Sequence, residues 1–192
     1  MDLNNTKSKR NTNIFNKELN HPYYYNVLNG TVIEDEIKEL NSLVSVAVPK
    51  DKNELRKIIE FYSKNYPEDS LNWLDVSGIT DMSYLFKETV YNGDISKWDT
   101  SNVINMEGLF NYAYKFNTSI DSWNVSNVTN MCCMFCNAWR FDQPIGDWDV
   151  SNVTDMECMF DNAEIFDWPI GDWDVSNVTN MKYMFISARI FN

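Results

Sequence analysis

The sequence predicts an α/β repeat solenoid, built from short parallel strands and short helical turns behind a small N-terminal strand-helix cap. Three observations predict it. Met82, Met106, Met131, Met156 and Met181 recur at separations of 24, 25, 25 and 25 residues, and self-similarity at a fixed period marks a repeat architecture. Phe86, Phe110, Phe135, Phe160 and Phe185 keep the same phase, as do Trp98, Trp123, Trp148 and Trp173, and Ile95, Ile120, Ile145 and Ile170. A unit of this size cannot bury an apolar face alone, so neighbours must stack and carry each fixed apolar position into a ladder through the core.

Residues 1–30 are rich in Asn, Lys and Tyr with little periodicity, which predicts a mobile N-terminal arm, taken over residues 1–43. Residues 44–73 form the expected cap. Val44 to Pro49 reads as a short strand, and Asp51 to Tyr66 as an amphipathic helix with Leu55, Ile58, Ile59 and Tyr62 on one side. Asp51 and Glu54 make a capping-box-like start, and Pro67 ends the helix.

Residues 74–192 hold five repeats of 24–25 residues, the last incomplete; in the first, Leu74 takes the tryptophan position and one residue is missing before Tyr91. Within a unit, Val153, Met156, Met159, Phe160 and Ala163 are spaced for a short helical turn with one inward face. Thr154 is its expected N-cap, and Asp155 and Glu157 suit the first turn. Pro144 to Val150 alternates apolar and polar and predicts a short extended segment. The recurring Asp-Val-Ser-Asn tetrad suits a corner, because short polar side chains bond back to nearby backbone. No cap-like segment follows the repeats, so the C-terminal edge is expected to be open, as a fragment boundary or as an edge that pairs with another chain.

The formal net charge is −12, and residues 74–192 carry six basic and seventeen acidic side chains. Such a surface repels nucleic-acid backbones and anionic membranes and favours basic partners or divalent cations. No segment approaches the ~20 consecutive apolar residues of a membrane helix. Met1 to Asn20 lacks the apolar stretch of a signal peptide.

The motif WDVSNVTNM-x-x-MF-x-x-A-x-x-F, clearest from Trp173, resembles the BspA-like bacterial surface-protein repeats, also described as the mycoplasma lipoprotein-associated repeat. The likeness covers about residues 74–192, and the segment NELRKIIEFYSKNYPEDSLNWLDVSGITDMSYLF resembles the entry to such arrays. The resemblance implies a leucine-rich-repeat-like solenoid, display at or secretion from a bacterial cell, and adhesion or protein binding. The absence of an export signal near Met1 leaves the compartment open, cytoplasm included.

Catalytic chemistry needs convergent groups, and the inventory is thin. His21, the single histidine, stands in the arm, and six glycines form no phosphate loop or dinucleotide fingerprint. No enzyme and no cofactor is expected. Cys132, Cys133, Cys136 and Cys158 allow a thiolate metal site but also read as ordinary thiols at variable positions near the Met-Phe face. Asp99, Asp149 and Asp174, in one row with Asp75 and Asn124, are candidates for a calcium ladder or simply form turns. Sequons at Asn124, Asn127, Asn152 and Asn177 recur with the repeat, so structural use explains them. Tyr112, Tyr114, Trp139 and Trp168 vary between coils and are the candidate binding residues, or else finish an outer core layer. The expectation is a non-enzymatic repeat scaffold that binds an unidentified protein. The alternatives are a self-associating array, paired through its C-terminal edge, and a calcium-binding acidic ladder.

Overall fold

The computed structural model describes residues 48–191, all within the unit spanning 46–192. The arm over residues 1–43 and most of the strand expected over Val44 to Pro49 lie outside the described residues.

Helix α1 (Lys52–Asn65) is the one helix among the described residues. The Asp51 carboxylate accepts the Glu54 amide at 2.9 Å, and the Glu54 carboxylate accepts the Lys50 amide at 2.8 Å, so the first turn is capped from both sides. Leu55, Ile58, Ile59, Phe61 and Tyr62 are buried. The helix ends as the Tyr66 amide bonds back to the Tyr62 carbonyl at 2.7 Å, ahead of Pro67, whose ring disfavours helical backbone in the residue before it.

The α/β reading of the repeats is overturned. Beyond α1 the described residues hold no helix, and their only β pairing is a row of isolated parallel bridges, Asp81 to Asn105, Asn105 to Asn130, Asn130 to Asp155 and Asp155 to Asn180. Among the described residues there is no sheet, and so no leucine-rich-repeat-like alternation of strand and helix. The bridges still join each unit to the next, and the units stack as coils made of turns.

The backbone hand explains why neither helix nor strand forms. In the coil around Met156, Cys158 and Asn162 have φ of 54° and 59°, and the equivalent positions of the other coils do the same: Tyr84 and Glu88, Gly108 and Tyr112, Cys133 and Asn137, Tyr183 and Ser187. A left-handed residue every four positions stops a right-handed helix before its second turn. The Met159, Asp161 and Ala163 amides instead close turns on the carbonyls of Met156, Cys158 and Phe160 at 3.0–3.2 Å. The intervening amides of Met156, Cys158, Phe160 and Asn162 leave the coil and donate to the carbonyls of Asn180, Lys182, Met184 and Ile186 at 2.7–2.9 Å. Alternate amides therefore serve the coil and its neighbour, which satisfies both without either regular element.

Two local expectations fall with the helical turn. Thr154 caps nothing; its hydroxyl donates to the Thr129 carbonyl of the preceding coil at 3.0 Å. Pro144 to Val150 forms no strand, because the Trp148 amide turns back to the Ile145 carbonyl at 3.2 Å.

The apolar rows do stand over one another. Met82, Met106, Met131 and Met156 are fully buried, as are Phe86, Phe110, Phe135 and Phe160. Stacked rings join Phe86 to Phe110 at 5.1 Å, then Phe110 to Phe135, Phe135 to Phe160 and Phe160 to Phe185 at 5.6 Å each. A second row, Phe116, Phe141, Phe166 and Phe191, runs beside the first, with Phe135 and Phe141 rings 3.9 Å apart. In the repeated tryptophan row each indole N–H donates to a carbonyl one coil back, Trp98 to Leu71, Trp123 to Ile95, Trp148 to Ile120 and Trp173 to Ile145. The large rings are thus buried with their single polar atom satisfied.

Candidate functional site

The Asp-Val-Ser-Asn corners are closed by their own side chains and tied to the neighbouring coil by their asparagines. Asp99 Oδ1 accepts the Ser101 amide at 3.0 Å and hydroxyl at 2.6 Å; Asp149 does the same with Ser151 at 3.1 and 2.6 Å, and Asp174 accepts the Ser176 amide at 3.0 Å. The serine hydroxyl, and then its amide, hold these exposed carboxyls below the usual carboxylate range. Asn124 makes both bonds to Ser126 without a charge. The next asparagine of each tetrad ties its coil to the one before: Asn102, Asn127, Asn152 and Asn177 donate to the carbonyls of Ser77, Ser101, Ser126 and Ser151. Among the described residues, no group of three or more His, Cys, Asp and Glu side chains is arranged to hold a metal ion.

The four cysteines are free thiols, with Cys132 and Cys133 sulfurs 3.6 Å apart and the Asn137 amide donating to Cys136 Sγ at 3.1 Å. Burial is the first cause that pushes all four upward; acidic neighbours such as Asp155, Glu157 and Asp161 add to it at Cys132, Cys136 and Cys158, and the neighbouring thiols add to it at Cys133. Thiols so shifted stay protonated at neutral pH and are poor nucleophiles.

The candidate aromatics divide into a pair and two separate residues. Tyr114 and Trp139 follow the ladder residues Phe110 and Phe135 by four positions, so stacking brings them side by side, ring centroids 6.2 Å apart at 42°, with 40% and 46% of their surface exposed. The same row continues in Glu164 and Arg189, which form an ion pair at 3.4 Å. Tyr112 is exposed two residues before Tyr114, at a left-handed position filled by Asn137 and Asn162 in the next coils. Trp168 is exposed and makes no ring contact with the other three among the described residues.

Sequence reasoning passes over Tyr84. Its ring lies across Gly108 of the next coil, where an added Cβ would come within 2.2 Å of the ring, and its hydroxyl donates to Glu107. That bond to a carboxylate, with burial, pushes the phenol above its ordinary range. Only the recurrence of Tyr84, Gly108, Cys133, Cys158 and Tyr183 at one repeat position hints at this row. Arg56 and Lys52 of α1 are also missed, because nothing separates them in sequence from solubilising charges. Arg56 donates to the carbonyls of Tyr84, Leu85 at 2.9 Å and Lys87 at 3.1 Å, while Lys52 reaches Asp81 at 2.9 Å and the Ser83 hydroxyl. The hollow beside them, about 330 Å³ and lined by Arg56, Glu60, Lys64 and Lys87 among others, is open to solvent, and Arg56 is held there by Glu60 at 2.7 Å.

Residues 54–164 and again 117–192 match the family described as Mycoplasma protein of unknown function, DUF285. The chain belongs to this family. The match begins inside α1 and runs through every coil, so the family spans the helix that covers the stack as well as the stack itself. No curated protein and no solved structure matches the chain. Among the described residues no helix is long and apolar enough to cross a membrane.

Proposed function

We propose that this member of the family is a non-enzymatic repeat scaffold that binds another protein through the row containing Tyr114 and Trp139. The observation that carries the reading is the division of labour among side chains. The repeated Asp, Ser, Asn, Thr and Trp residues spend their hydrogen bonds inside the stack, and the repeated Met and Phe are buried. Two aromatic rings at a variable position stand together in solvent on this rigid frame. Paired aromatics with a charged pair beside them are the composition of a binding hot spot with its polar surround. The acidic excess of residues 74–192 favours a basic partner surface. The resemblance to BspA-like surface repeats supports the same class of role and brings with it the expectation of adhesion at a bacterial cell surface.

The test is cross-linking capture with the full chain and with a Tyr114→Ala/Trp139→Ala variant, followed by affinity measurement for the retained protein. Affinity should fall at least tenfold in the variant, about 1.4 kcal/mol or more, with the melting curve unmoved. Equal retention by both chains would remove this row as the binding surface.

A further inference from the structure

Two successive coils carry the same surface device. In each, a β-turn closes between a buried alanine and a buried phenylalanine: the Phe116 amide donates to the Ala113 carbonyl and the Phe141 amide to the Ala138 carbonyl, both at 3.0 Å. The two central residues of each turn project from the core. They are an aromatic followed by a cation in both turns, Tyr114 with Lys115 and Trp139 with Arg140, and all four are exposed. Neither cation is in a salt bridge among the described residues. Two of the six basic side chains of residues 74–192 thus stand beside the paired rings without a counter-ion, in a region that carries seventeen acidic ones. The device stops on both sides. The coil before has one residue fewer at this place, between Glu88 and Tyr91, and the coil after carries Glu164 and Ile165.

We infer that these two turns bind an extended segment of another protein that carries glutamates on alternate residues, one glutamate to each turn. The inference rests on the reading of the Tyr114–Trp139 row as the binding surface and names the chemistry of what that row takes. Each turn offers a ring against which the methylenes of one glutamate can lie, and a cation for its carboxylate. The spacing agrees: the rings are 6.2 Å apart, and alternate side chains of an extended chain share one face about 6.6 Å apart. The next turn, with Glu164 and Ile165, offers a third glutamate neither ring nor cation. The sign of the contact is local. The acidic excess around the row acts on the partner's periphery, so the segment is acidic within a basic surround. Single-stranded nucleic acid also joins anions to stackable rings, but its unbroken line of phosphates would run over the acidic remainder of the stack.

Titration of the full chain with short peptides, followed at the Trp139 indole N–H resonance, tests this. The probes are Thr-Glu-Thr-Glu-Thr, the same peptide with glutamine, aspartate or lysine in place of glutamate, and a short oligothymidylate. The glutamate peptide should bind roughly fivefold more tightly than the glutamine one, since two exposed ion pairs separate them, and the difference should shrink at high salt. The aspartate peptide, with a shorter stem, should fall between them. Lys115→Glu/Arg140→Glu reverses the charge of both turns and keeps both rings. Its melting curve should not move, because neither side chain is in a salt bridge, and it should prefer the lysine peptide. No shift with the glutamate peptide at millimolar concentration would overturn the proposal, as would equal binding of the glutamate peptide and either the glutamine or the aspartate one. An unreversed ranking in the variant, or tighter binding of the oligothymidylate, would also overturn it. If the ranking fails while Tyr114→Ala/Trp139→Ala still releases a captured protein, the row stands as the binding surface and only the chemistry assigned to it falls.

Discussion

Gly108 holds φ at +55° with the Tyr84 ring above it, so two costs fall on one added methyl group. The backbone conformation costs an L-residue roughly 1–2 kcal/mol, and the ring must also move. Gly108→Ala should therefore lower stability by more than about 1 kcal/mol in chemical denaturation, and Tyr84→Ala in the same chain should recover the part due to the ring. The corner aspartates make a different prediction. Asp99, Asp149 and Asp174 have folded pKa values below the unfolded one, near 3.9. Their contribution is complete above that value and lost as pH falls through the folded one. Asp149→Asn, which copies Asn124, should flatten the decline in Tm as pH falls below about 4. An unchanged acid limb would show that the serine bonds carry no such linkage.

At the scale of the element, α1 acts on the stack through its polar face as much as its apolar one. Arg56→Ala leaves three backbone carbonyls without their cation, and bonds to a charged donor contribute about 1.5–3 kcal/mol. Exchange should rise first at Leu85 and Lys87, whose amides lie in the coil the helix covers, and Arg56→Lys should restore it only in part, since an ammonium cannot fork across several carbonyls. The α1 segment is legible in sequence, because its cap, its apolar spacing and its terminating proline all point the same way. The coil backbone is not. Apolar spacings of three and four suit a helix and also suit successive turns, and the residues that take positive φ here include Tyr84, Cys133, Cys158 and Tyr183, none of which announces that conformation. The corner tetrad is legible as a turn, while the bond from its asparagine to the coil before it depends on a neighbour that a single repeat does not contain.

For the molecule as a whole, position along the stack should decide the effect of a substitution more than residue type does. Phe135→Ala removes a fully buried ring with aromatic neighbours on both sides and should cost about 3–5 kcal/mol. Phe185→Ala removes a ring that has a ladder neighbour only in Phe160, lies beside Phe191 and is more than a third exposed, and should cost roughly 1 kcal/mol. Similar losses at both sites would contradict the ladder. The ladder's period is visible in the sequence, and so is the row that holds Tyr114 and Trp139; which aromatics become neighbours is not, since Trp168 shares their character but belongs to another row.

The alternation of hand along each coil also governs where the chain tolerates a change of length. Removing a single residue between Asn130 and Asn137 would exchange the roles of every later amide, turning inward-bonding groups outward and the reverse, and would break both junctions of that coil at once. The stretch after the second left-handed residue is under no such constraint, and the coil with a spacing of three from Glu88 to Tyr91 joins its neighbour with a spacing of four from Tyr112 to Phe116 without loss of register. Insertions should thus gather in that stretch, as slack in a rope gathers between its knots.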